Sequence, residues 1–140
     1  MTKVLFVCIH NSARSQMAEA FVNNAGLENV KAESAGIEKG KLNPVVVDAM
    51  KEIGIDISGN STNTVQEKID SGDHYDYVVT VCDQASGERC PVFPGNVYKR
   101  LHKEFPDPSA FQGSYEEKLD FTRKVRDQIK NWIDEFVKEL

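Results

Sequence analysis

Lys3–Phe21 reads KVLFVCIHNSARSQMAEAF, and the fold turns on how this stretch is parsed. Lys3–Cys8 is a short apolar, β-prone run of the kind that forms a buried parallel strand. From Ala13 to about Ala25 the pattern becomes helical. Met17, Ala18, Phe21 and Val22 share one stripe, and Gly26 is placed for a C-terminal cap. Strand, tight loop and helix in that order form the opening unit of an α/β sheet.

The same alternation continues outward. Asn29–Gly36 (NVKAESAG) reads as a second strand. LNPVVVDAMKEIG carries a helix start at Asn43–Pro44 and a stop at Gly54. Thr64 and Glu67 form a capping box for a helix that closes at Gly72. Tyr75–Cys82 (YDYVVTVC) is the strongest strand signal, and Asn96–Leu101 (NVYKRL) is a shorter one. A last helix opens on a second capping box, Ser114 with Glu117. It carries Val125, Ile129, Trp132, Ile133, Phe136 and Val137 on one face. The pattern predicts one α/β layer sandwich over residues 1–140, with a parallel sheet and no repeat or linker.

The chain has 140 residues, enough for one domain with a real core, and a formal net charge of −5. No Lys/Arg cluster exceeds two or three residues, which argues against a nucleic-acid surface. The first apolar stretch, Val4–Ile9, is too short for a membrane span or a signal-peptide core, so the cytoplasm is the expected location. Thiols stay reduced there unless they are working ones. The cysteines are Cys8, Cys82 and Cys90, an odd count that argues against a structural disulfide framework.

The loop after the first strand has a chemical use. A helix start offers unpaired backbone N–H groups and the positive end of the helix dipole. Ile9, His10, Asn11, Ser12 and Ala13 would wrap an anion with main-chain donors. Arg14 adds a planar, permanently charged fork suited to two oxygens of a tetrahedral oxyanion. Cys8 would lie at the bottom of that cradle, where the same donors favour its thiolate, and Ser15 can donate a hydrogen bond to the sulfur. Cys8 then attacks the central atom of the bound oxyanion. The competing reading is that Cys8 is a small buried hydrophobe at a strand end.

The segments CIHNSARSQMAEAF, ESAGIEKGKLNPVVVDAMKEIGIDIS, VVTVCDQASGERCPVFPG and FPDPSAF resemble the thioredoxin-coupled arsenate reductases. Those enzymes share their fold with low-molecular-weight protein tyrosine phosphatases. The resemblance runs through nearly the whole chain, and the Cys-x5-Arg-Ser loop is common to both groups. It implies a four-stranded parallel sheet in the order 2-1-3-4 with helices on both faces. It also implies Cys8 as nucleophile, Arg14 as anion clamp and Ser15 as thiolate partner, with Asn11 and Ser34 bracing the loop.

In the implied sheet order, strands 1 and 3 are neighbours about 4.8 Å apart. Cys8 and Cys82 then both lie at carboxyl ends, where such sheets bind ligands. Cys82 can attack Cys8, and Cys90 can attack in turn, by ordinary thiol–disulfide exchange. If residues 82 to 90 were helical, the two Cα atoms would stand about 12 Å apart. A disulfide needs about 7 Å or less, so the segment would have to loop out, with Gly87 as an easy hinge. The cysteine spacing and the three histidines, His10, His74 and His102, do not suit a zinc site.

FPDPS places Asp107 between two prolines. Turn chemistry is one role for it. The resemblance favours the other, a general acid that protonates the departing oxygen. Related phosphatases usually carry an aromatic residue just after Asp-Pro, where this chain has Ser109. Ala13 and His10 depart from the cysteine and glycine common in relatives. Asn63 replaces an acidic residue found in some of them, which puts cation binding near the loop in doubt.

These features imply an arsenate reductase with no bound organic cofactor. Its substrate is arsenate, with phosphate or sulfate as competing anions. Thioredoxin is its external reductant, and it acts as a monomer. Two alternatives remain open at this point: a low-molecular-weight phosphatase, and a non-enzymatic redox- or anion-sensing module.

Overall fold

The computed structural model describes residues 1–83 and 93–140. Strand β1 (Thr2–Cys8) lies at the heart of a four-stranded sheet. It pairs in parallel with β2 (Val30–Gly36) on one side and β3 (Tyr77–Thr80) on the other. Strand β4 (Lys99–His102) extends β3, also in parallel, so the order is 2-1-3-4 as expected. The register sets Cys8 opposite Gly36, the last residue of β2.

Side chains of β1 alternate between two cores, as a strand buried on both faces requires. Val4, Phe6 and Cys8 join one core with Met17, Phe21, Met50, Ile129 and Ile133. These come from α1 (Arg14–Asn23), α2 (Pro44–Lys51) and α4 (Tyr115–Phe136). Leu5 and Val7 point the other way, into a smaller core with Ala35, Val65, Tyr75, Val78 and Phe93. Val65 opens α3 (Val65–Asp70), so helices lie on both faces of the sheet. No described helix is long and apolar enough to cross a membrane.

The expected capping boxes are both formed, at Thr64/Glu67 and Ser114/Glu117. Asn43 caps α2 by accepting from the Val45 N–H, with Pro44 in the first turn. Two strands differ from the sequence expectation. β3 is four residues long, not eight. Tyr75 is buried ahead of it with its hydroxyl on Glu33, and the Val81 N–H still reaches the Val7 carbonyl beyond it. β4 starts three residues later than Asn96, because the Lys99 N–H is the group that meets the Asp76 carbonyl and opens the β3 ladder. Cys90, and with it the expected looping-out after Cys82, lies outside the described residues.

Candidate active site

Cys8 is the last residue of β1 and is nearly fully buried. Its Sγ lies 2.9 Å from Ser15 Oγ and 3.2 Å from the Asn11 backbone N, which donates to it. Asn11 Nδ2 donates to Ser15 Oγ at 2.8 Å. That bond occupies an acceptor site on the hydroxyl oxygen and leaves the hydroxyl hydrogen free to point at the sulfur. Sulfur, hydroxyl and amide thus form a directed chain in which Ser15 can donate to the Cys8 sulfur.

Asn11 sustains the loop's curvature. It is fully buried and adopts φ 56°, a left-handed conformation that asparagine tolerates better than most residues. Its Oδ1 accepts from the Asn63 N–H at 2.8 Å and from Gln16 Nε2 at 3.2 Å. Gln16, fully buried at the start of α1, also donates to the Asn11 and Ser61 carbonyls and accepts from Asn60 Nδ2. Glycine is required at residue 36. A Cβ there would stand 2.6 Å from the Ile9 carbonyl oxygen and 2.8 Å from the Asn11 nitrogen, both fixed backbone atoms. The end of β2 is therefore the floor on which the loop rests.

Helix α1 begins behind Ala13 with no side-chain cap and no acidic residue in its first turn. Its dipole and leading N–H groups are left for the loop's interior. Arg14 is buried, with Nη1 donating to the Phe105 carbonyl at 3.1 Å and Nη2 3.6 Å from Asp107 Oδ2. Asp107 caps a short 3-10 turn, Pro108–Ala110, by accepting from the Ser109 N–H on Oδ1. The fork of Arg14 and the carboxylate of Asp107 therefore meet beside the loop.

Ile9 and His10 form the loop's outer shoulder. Their carbonyls accept from the Glu38 and Gly40 N–H groups, and the exposed His10 side chain sets Nδ1 3.5 Å from the Glu38 carboxylate. Ser12 Oγ lies 3.3 Å from Ser109 Oγ, and its carbonyl accepts from the Asn43 N–H. Cys82 lies two residues beyond β3, on the other side of β1, and is buried with Sγ 3.8 Å from the Val7 carbonyl. Cys8 and Cys82 are thus neighbours across the carboxyl edge of the sheet.

One expected member lies elsewhere. Ser34 does not brace the loop; its hydroxyl donates to the Glu19 carboxylate at 3.0 Å. The register sets Ser34 opposite Phe6, two residues short of the loop, which turns its side chain toward α1. Burial raises the Glu19 carboxyl above its ordinary range, and the charge of Glu33 adds to this, while Ser34 and Lys68 oppose it. Gln16, Gly36 and Asn63 belong to the loop's support, a role the sequence reading assigns to none of them: there Gly36 is only a strand end and Asn63 only a departure from relatives. The one available hint was the polar run Asn60–Asn63 ahead of a helix start.

The low molecular weight phosphotyrosine protein phosphatase model matches residues 3–140. An arsenate reductase of Bacillus subtilis (strain 168) is 44% identical over 133 residues, covering 95% of this chain and 93% of that one. A solved arsenate reductase in the phosphate binding state superposes with a TM-score of 0.82 at 31% identity, covering 99% of this chain and 98% of the other. The thioredoxin-dependent arsenate reductase of Corynebacterium glutamicum superposes with a TM-score of 0.69 at 26% identity, covering 99% of this chain and 60% of that one. The shared loop, sheet order and full-length match make this chain a member of the low molecular weight phosphotyrosine protein phosphatase family, grouped there with arsenate reductases.

Proposed function

We propose that the protein reduces arsenate to arsenite with electrons from its own thiols, and that thioredoxin restores them. Arsenate sits in the loop Cys8–Ser15, held by main-chain N–H groups and Arg14. The Cys8 thiolate attacks arsenic, an oxygen departs as water with a proton from Asp107, and a sulfur–arsenic bond forms. Cys82 then attacks Cys8 Sγ. The electron pair of the sulfur–arsenic bond stays on arsenic, which leaves as As(III), and a Cys8–Cys82 disulfide forms. Cys90 attacks Cys82, frees Cys8 and leaves a Cys82–Cys90 disulfide for thioredoxin. Two thiols become one disulfide as arsenic takes two electrons, so the scheme calls for no bound cofactor. It suits a reducing compartment such as the cytoplasm.

The observation that carries this reading is the placing of two buried cysteines at the carboxyl edge of the sheet, Cys8 ending β1 inside a donor-lined loop and Cys82 two residues beyond β3. A phosphatase needs only the first. The same loop and Asp107 suffice for slow hydrolysis of a small aryl phosphate as a side activity.

The test supplies arsenate, thioredoxin, thioredoxin reductase and NADPH and follows both NADPH and arsenite. Wild type should consume NADPH in step with arsenite. Cys8→Ser should produce none, and Cys90→Ser should stop after one arsenite per chain with a Cys8–Cys82 disulfide on peptide mapping. Arsenite production by Cys8→Ser, or none by wild type, would sink the reading.

A further inference from the structure

The segment that carries Asp107 is fastened to the anion loop at two separate points. One is Arg14, which holds the Phe105 carbonyl and faces Asp107 Oδ2. The other is Ser109. Its hydroxyl oxygen accepts from Asn43 Nδ2 at 3.0 Å and lies 3.3 Å from Ser12 Oγ, while its N–H donates to Asp107 Oδ1.

Asn43 is the hub of this second fastening. Its N–H donates to the Ser12 carbonyl, its Oδ1 caps α2 and its Nδ2 reaches Ser109. One residue thus ties the anion loop, the start of α2 and the Asp107 turn together. Because Asn43 donates to Ser109 Oγ, the Ser109 hydroxyl hydrogen is free to bond Ser12 Oγ, which closes the ring.

We infer that Ser109 is a positioning residue for the acid step: the Asn43–Ser109–Ser12 latch holds the Asp107 turn over the anion loop. With Oδ1 engaged by the Ser109 N–H, Oδ2 is the oxygen presented toward Arg14 and the bound anion. The proton that Asp107 gives to the departing oxygen leaves from there. This inference rests on the assignment of Asp107 as the acid. Proton donation of this kind is sensitive to small displacements of the donor.

The experiment compares wild type, Ser109→Ala, Ser109→Thr and Asp107→Asn in the reduced state. Amide hydrogen exchange is followed over residues 105–111 and over α4. Turnover is measured on aryl phosphates, from phenyl phosphate to dinitrophenyl phosphate. Ser109→Ala should speed exchange in 105–111 by about three- to tenfold, as loss of one or two modest hydrogen bonds allows, and leave α4 unchanged. Its loss of kcat should be greatest on phenyl phosphate, whose leaving oxygen needs the proton, and least on the dinitrophenyl ester. Ser109→Thr keeps the hydroxyl and should restore both readouts. Asp107→Asn should show the leaving-group bias without the change in exchange.

Unchanged exchange in Ser109→Ala, or an equal loss across the ester series, overturns the latch. An Asp107→Asn variant whose loss of kcat is equal across the ester series overturns the acid role of Asp107 instead. Neither readout involves arsenic, so failure of arsenate reduction is scored separately.

Discussion

Arg14 shows how much one side chain can settle. Its guanidinium is buried, and both ends of the fork are spoken for by the Phe105 carbonyl and the Asp107 carboxylate. A lysine could carry the charge but not the fork geometry. Arg14→Lys should therefore raise KM for arsenate and cut kcat/KM by about 100-fold or more, roughly 3 kcal/mol, which steady-state assays would read directly. Glu33 makes a different statement, about stability. Burial pushes its carboxyl upward, but hydrogen bonds from Lys68 and Tyr75 and the charges of Lys68 and Lys3 outweigh that and hold it at about 2. A carboxyl depressed on folding adds stability above its unfolded value, and that stability drains away as the pH falls through the folded one. Glu33→Gln should lower unfolding free energy by roughly 1–3 kcal/mol at neutral pH. The gap from wild type should close between about pH 4.5 and 2, as denaturant titrations across that range would show.

Among the elements, β2 has the least obvious duty, since it contributes no reacting group. Its last residue, Gly36, supports the loop backbone. Gly36→Ala would drive a methyl into the Ile9 carbonyl and the Asn11 nitrogen, and neither can swing aside as a side chain would. We expect at least a tenfold loss of oxyanion affinity by calorimetry, with near-native circular dichroism. The strand order and the loop were legible in the sequence because hydrophobic period and cap residues are local signals. Lys3–Cys8, the Asn43–Pro44 start and both capping boxes stand where their residues imply. Strand limits were less legible. Tyr75 and Asn96 look β-prone, but the β3–β4 ladder opens where the Lys99 N–H finds the Asp76 carbonyl. Gln16 and Asn63 were illegible for a related reason. Their partners are 5 to 52 residues away, and no spacing rule connects them. Ser34 was placed by resemblance alone, and the register turned it to Glu19.

At the scale of the whole molecule, an oxyanion bound in the loop as proposed would touch several elements at once: the end of β1, the start of α1 and, through Arg14, the turn before α4. Binding to the folded state alone raises stability by RT ln(1 + [L]/Kd), about 2.7 kcal/mol at a hundredfold excess over Kd. For a domain of this size, phosphate or arsenate should lift Tm by about 5–10 °C relative to chloride at equal ionic strength. Arg14→Lys should lose most of that shift in a calorimetric scan. The burial of Cys8 and Cys82, 2% and 0% exposed, has a further consequence. A bulky alkylating reagent must wait for the carboxyl edge of the sheet to open, whereas under the proposed function a small tetrahedral anion would be met by the loop's own donors. Labelling by such a reagent therefore becomes a clock for that opening, and a saturating oxyanion should slow it.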